Sequence, residues 1–246
     1  MEATYRDGKQ RIRKFERREI DGEEYLVETR AWKNRKREQR LQTLLENAEI
    51  PGHVRNLAID EDSFVVGGDE DRKILRNISS FYRHFDTDFR NCHLYVWSPR
   101  NGTQKTTLVS TLGKELLAAG YNVRFVLMSS LTRLLAKEDF AESREQINSY
   151  RRADFLIIDD AFDTRKMTVY KSGYQIPYLD NFLRERLEVH ARATAFTSNI
   201  PPENISEEVF GKSMRELIRR TTHPSVEFST PYSARNNFDP DSLWER

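Results

Sequence analysis

Residues 94–107 read Leu94-Tyr95-Val96-Trp97-Ser98-Pro99-Arg100-Asn101-Gly102-Thr103-Gln104-Lys105-Thr106-Thr107. The opening apolar run, closed by Ser-Pro, fits a buried strand. From residue 106 to 119 Leu108, Leu112 and Leu116 fall on one helical face, and Gly120 suits the C-terminal cap. Between them lies a polar loop. Strand, Gly- and Asn-containing loop, then helix is the order that turns backbone N–H groups and a helix dipole onto a phosphate. Lys105 has the reach for terminal phosphates and Thr106 the hydroxyl for Mg²⁺, while Gly102 permits close backbone approach. The pattern G-x-x-x-x-G-K-[ST] places glycine one and six residues before the lysine; here those positions hold Gln104 and Pro99. A bare K-T-T also reads as a turn with an incidental surface lysine. The surrounding strand and helix decide for phosphate binding, with Asn101, Gly102, Thr103, Gln104, Lys105, Thr106 and Thr107 as the nucleotide-binding candidates.

Outward from this segment, strand and helix signals alternate. Apolar runs at 123–128, 155–158 and 193–197 read as strands, and 72–85 and 179–190 as amphipathic helices. The implied class is α/β, a mainly parallel sheet covered by helices on both faces. In such sheets ligands bind beyond the carboxyl ends of the strands. At one of those ends stands Leu156-Ile157-Ile158-Asp159-Asp160. We assign Asp159 to the Mg²⁺ shell and Asp160 to activation of water; taken alone, Asp160 also reads as a helix cap. Another strand ends in Thr197-Ser198-Asn199, where Asn199 has the chemistry to orient water or sense a phosphate. The same residues read equally as a turn into Ile200-Pro201-Pro202. Residues 214–220 suggest a helix with Arg215 and Arg219 on one face. Spacing alone favours a solvated basic helix end over an arginine aimed at a neighbour's phosphates.

The bulk composition narrows the classes. The chain has 246 residues, 37% hydrophobic and 32% charged, enough for one buried domain and a small appendage. No run approaches the ~20 apolar residues that span a bilayer, and residues 1–20 lack a secretory signal's apolar segment. Cys92 is the sole cysteine, which excludes an internal disulfide or a cysteine-based zinc cluster. A cytoplasmic protein is expected, with no membrane partner. Net charge is +1, from 40 basic and 39 acidic residues, but the distribution is uneven. Residues 30–40 carry six bases (Arg30, Lys33, Arg35, Lys36, Arg37, Arg40) against Glu38, a cluster suited to nucleic acid, to an acidic protein face or simply to solvent. Leu41, Leu44, Leu45 and Ala48 continue it as an apolar stripe on a helix over 31–48, stopped by Ile50-Pro51-Gly52. The expected division is a small helical extension over 1–55 and a main domain over 56–246.

Together these segments resemble the DnaC/DnaI family of bacterial and phage helicase loaders, AAA+ ATPases related to DnaA and IstB. The resemblance runs from about residue 48 to 235. It rests on Ala48-Glu49-Ile50-Pro51, NGTQKTT at 101–107, LIIDD at 156–160, TSN at 197–199 and MRELIRR at 214–220. It implies an AAA+ P-loop fold with Lys105 and Thr106 as Walker A, Asp159 and Asp160 as Walker B, and Asn199 as sensor 1. It also implies Arg219 as an arginine finger and Arg215 as a second trans-acting arginine. The cofactors would be ATP and Mg²⁺, bound between subunits of a homo-oligomer. The partners would be a hexameric DnaB-type replicative helicase, met by the N-terminal extension, and single-stranded DNA. Residues 129–152, with Arg133, Lys137, Arg144, Arg151 and Arg152, correspond to a stretch that lines the DNA channel in related ATPases. Only 26 residues follow Arg220, so no substantial C-terminal lid is expected. The implied activity is weak ATP hydrolysis coupled to helicase loading. The alternatives are an IstB-like transposition ATPase and a nucleotide-binding adaptor that hydrolyses nothing.

Overall fold

The computed structural model describes residues 4–7, 10–137, 140–166, 175–222 and 225–228. The N-terminal extension, expected to be helical, starts instead with two antiparallel hairpins: β1 (Thr4–Asp7) with β2 (Gln10–Arg13), and β3 (Phe15–Ile20) with β4 (Glu23–Glu28). The second turns at Asp21-Gly22, both at positive φ (54° and 82°), the backbone a two-residue hairpin turn requires. Helix α1 (Arg30–Asn47) follows, with Thr29 as its cap accepting from the Trp32 N–H at 3.2 Å. The apolar stripe then does what its spacing suggests. Leu45 and Ala48 are buried, and Leu41 and Leu44 pack partly against the same core.

A single-turn 3₁₀ segment (Gly52–Asn56) leads toward α2 (Asp69–Arg83), which opens with Asp69, Glu70 and Asp71 against its positive dipole end. Then come β5 (His93–Trp97), α3 (Lys105–Ala118), β6 (Val123–Leu127), α4 (Met128–Leu135) and α5 (Ala141–Arg152). They are followed by β7 (Phe155–Asp159), α6 (Gln175–Arg184), β8 (Thr194–Ser198), α7 (Glu207–Thr221) and the short β9 (Val226–Glu227). A π-helical turn (Glu185–Val189) extends α6, and Gly211 at φ 81° interrupts α7. Met128, expected to end a strand, starts α4 instead. The stretch at 129–152 is thus two helices, with Glu138 and Asp139 outside the described residues. The C-terminal region, where no lid was expected, lies outside them from 229 onward.

The five central strands are parallel, in the order β6-β7-β8-β5-β9. Alternation along each strand feeds two cores. Phe155, Ile157, Val96 and Ala195 face the side carrying residues of α1, α2 and α3, while Leu156, Ile158, Tyr95 and Phe196 face α4 to α7. A layered α/β fold follows. β8 is inserted between the strand that feeds the polar loop and the strand that ends in Asp159, so Trp97 stands beside Ser198, and Leu127 beside Asp159, at one edge. That edge is where the parallel sheet presents its ligand crevice.

Candidate functional site

Across the carboxyl ends of β5, β7 and β8 lies a cleft of about 770 Å³. It is lined by the polar loop from Asn101 to Thr107, by Asp159, Asp160 and Asn199, and by residues from the segment joining α1 to α2. The loop turns back through two left-handed residues, Gly102 (φ 80°) and Gln104 (φ 61°). Glycine takes that conformation freely. At the usual glycine position Gln104 carries the strain instead, and its side-chain oxygen accepts from the Val65 N–H at 3.0 Å. Lys105, 8% exposed, curls over the loop and donates to the Arg100 carbonyl at 2.9 Å and the Thr103 hydroxyl at 3.1 Å.

From the next residue, the Thr106 hydroxyl donates to Asp159 Oδ1 at 2.7 Å, and the Thr197 hydroxyl donates to the same oxygen. Burial raises the Asp159 carboxyl above the usual carboxylate range, while these two hydroxyls pull it back toward the charged form. In the sequence Thr197 stands only as part of Thr197-Ser198-Asn199 with no role of its own, because a threonine in an apolar strand carries no distinguishing signal. It links β8 to the acid.

Asp160 sits at φ 52°, its N–H near the Thr197 hydroxyl (3.4 Å) and its carboxylate paired with Lys166 at 2.6 Å. Asn199 lines the cleft and donates from Nδ2 to Asp163 Oδ2 at 3.2 Å. Asp163 is buried and bound by Arg165 through two 2.9 Å contacts; that guanidinium holds its carboxyl down at about 2. Lys166 and Asp163 are additions the sequence did not single out. His53 is another, reaching Thr107 Oγ1 at 3.3 Å. Arg215 and Arg219 stand on α7 outside the cleft lining, paired with Glu207 and with Glu216 respectively.

The residues fit a nucleotide with a hard divalent ion. A buried ammonium, a loop that turns through two left-handed residues and a helix N-terminus together have the makings of an anion cradle. Thr106 and Asp159 form an all-oxygen pair. Among the described residues no group of three or more His, Cys, Asp or Glu side chains converges as a complete metal cage. The pair therefore suits an ion such as Mg²⁺, which keeps water and phosphate oxygens for its other positions.

The fold is that of AAA+ P-loop proteins. The chain is similar to the solved DnaI structure (19% identity, TM-score 0.58, covering 74% of this chain and 92% of that one). It is also similar to the DnaC helicase loader (16%, 0.53, 73% and 100%). A third likeness is to DnaA bound to AMPPCP and single-stranded DNA (15%, 0.55, 71%), of which the chain spans half the length, 50%. At these identities the likeness is one of fold. No curated protein sequence matches the chain. No helix among the described residues is long and apolar enough to cross a membrane. The model of the IstB-like ATP binding protein family matches residues 18–215, which takes in the loop, both aspartates and Asn199, and the chain belongs to that family.

Proposed function

We propose that this protein is a cytoplasmic ATPase that loads a DnaB-type ring helicase onto single-stranded DNA during replication initiation. The observation that carries the ATPase part is the contact of the Thr106 hydroxyl with Asp159 beside the buried Lys105. Family membership supports the nucleotide, and the likeness in fold to DnaI and DnaC supports the loader. Bound ATP with Mg²⁺ supplies the scissile phosphoanhydride and neutralises charge on its phosphates. Lys105 adds a second positive charge there, and Thr106 and Asp159 hold the ion. Asp160 takes the proton of the attacking water, released for that role from Lys166, and Asn199 orients the water once freed from Asp163. Arg219 and Arg215 act from the neighbouring subunit of a homo-oligomer. Aspartate at 160 is one methylene shorter than glutamate, which makes hydrolysis slow. Residues 1–55 serve as the partner-binding extension, with the exposed Tyr25 and Leu26 of β4 as the helicase contact.

Two measurements test this. Phosphate release from ATP is expected to fall at least ~100-fold in Lys105→Ala and in Asp160→Asn, with the latter still binding nucleotide. Co-purification with a hexameric helicase is expected, enhanced by ATP. One other reading has direct support, because the matching family is IstB-like. It is a transposition ATPase that coats duplex DNA, and retention of a transposase in place of a helicase would select it.

A further inference from the structure

The short segment that leaves β7 is held more firmly than its length suggests. Asp160 (φ 52°) and Phe162 (φ 61°) are left-handed residues that carry side chains, a conformation that persists only where the surroundings over-determine it. Here they do. The Ala161 N–H donates to the Thr197 carbonyl at 2.8 Å, and the Ser198 hydroxyl donates to the Ala161 carbonyl at 2.6 Å. Phe162 is fully buried. Asp163, buried as well, then fixes a turn. Its carboxylate accepts from the Arg165 N–H at 3.1 Å and its carbonyl from the Lys166 N–H at 3.0 Å. The chain thereby carries Lys166 back to Asp160, six residues earlier.

Two consecutive cations end that turn, and they are engaged differently. Arg165 is committed to the buried Asp163 by two side-chain contacts of 2.9 Å. Lys166 has one ion-pair partner among the described residues, Asp160 at 2.6 Å, and both members of the pair are more than a third exposed (39% and 38%). An exposed ion pair of this kind is worth little and gives way to a better partner. Lys166 lines the same cleft as Lys105, Thr106 and Asp159. A terminal phosphate in that cleft carries more negative charge than a carboxylate and offers three acceptor oxygens to the ammonium.

We infer that Lys166 is a second cation for the terminal phosphate, supplied by the nucleotide's own subunit. With ATP and Mg²⁺ bound, its ammonium leaves Asp160 for the γ-phosphate oxygens, so the carboxylate is freed as a base only when that phosphate is present. ADP lacks the γ-phosphate and leaves the pair closed. This role rests on the reading of the cleft as an ATP site, and the test separates the two. Calorimetric titration of the full chain with AMPPCP and with ADP, each with Mg²⁺, compares the parent with Lys166→Gln, Lys166→Arg and Asp160→Asn. Lys166→Gln should weaken AMPPCP at least ~5-fold and keep ADP within ~2-fold, because only the γ-phosphate contact is lost. Retained ADP binding also shows that the variant is folded. Lys166→Arg keeps the charge and should stay within ~3-fold of the parent for both nucleotides. Asp160→Asn removes the competing acid and should bind AMPPCP at least as tightly as the parent. An unchanged ratio of the two affinities in Lys166→Gln, with both nucleotides bound, would overturn the role of Lys166 and leave the cleft reading intact. Equal weakening of AMPPCP and ADP in Lys166→Gln and Asp160→Asn would overturn it too, since the pair would then only brace the turn. A parent that binds neither nucleotide would overturn both readings together.

Discussion

Gln104 occupies the position where a phosphate loop ordinarily has glycine, and its left-handed backbone makes it the most informative single residue of the site. Two effects oppose each other there. The left-handed conformation costs a side-chain-bearing residue about 1 kcal/mol, and the hydrogen bond to the Val65 N–H returns a similar amount. Gln104→Ala keeps the strain and loses the bond, while Gln104→Gly loses both. The glycine variant should therefore be more stable than the alanine variant by about 1 kcal/mol in urea unfolding and close to the parent. His93 gives a second residue-scale prediction. Burial lowers its pKa to about 4, with its Nε2–H on the Leu187 carbonyl and its Nδ1 unpartnered. Folded chain stays neutral where unfolded chain, titrating near 6.5, takes up a proton. Stability should be level above that value and fall by up to about 3 kcal/mol as pH drops from 6.5 toward 4. Removing the imidazole in His93→Leu should flatten that window in denaturant titrations at stepped pH.

At the scale of elements, Arg186 joins three segments. Fully buried at the end of α6, its guanidinium donates to the carbonyls of Tyr150, Arg151, Ala153 and Ala193 and to the Thr194 hydroxyl. It thereby closes the unpaired end of α5 against the starts of β7 and β8, and desolvation lowers its pKa to about 9. Arg186→Met roughly keeps the volume but takes the arginine donor from four carbonyls. Ala193 keeps the Leu156 N–H and Arg151 keeps Arg192, while Tyr150 and Ala153 lose their donor, so unfolding free energy should fall by about 2–4 kcal/mol in urea titration. Nothing in the sequence marks this arginine, since its role depends on elements brought together by the fold. The central strands were legible because both of their faces are buried and their apolar runs are continuous. The hairpins were not, because their side chains are largely charged and exposed, which hides alternation. Asp21-Gly22 was the available signal. In the site, Lys105, Thr106 and Asp159 were readable from order along the chain. Thr197 acts through its contact with the end of β7, Asp163 through Asn199 just after β8, and Lys166 through Asp160 within the segment after β7, and no local pattern announces any of them.

For the whole molecule, the sheet order is what turns separate motifs into one cleft. Inserting β8 between β5 and β7 sets a hydroxyl-bearing strand against Asp159 and places Asn199 at the same edge as the loop. A basic cleft between the β3–β4 hairpin and α1 shares no lining residue with that cleft. The proposed site for nucleotide and Mg²⁺ consists of Lys105, Thr106 and Asp159. Its most direct test is an equilibrium titration of the full chain with a fluorescent ATP analogue, with and without Mg²⁺, beside Lys105→Ala. Saturable, Mg²⁺-dependent binding to the parent, weakened at least ~10-fold by loss of the lysine's charge-assisted bonds, is the predicted result. Absence of binding to the parent, or binding to Lys105→Ala at parental strength, would contradict it.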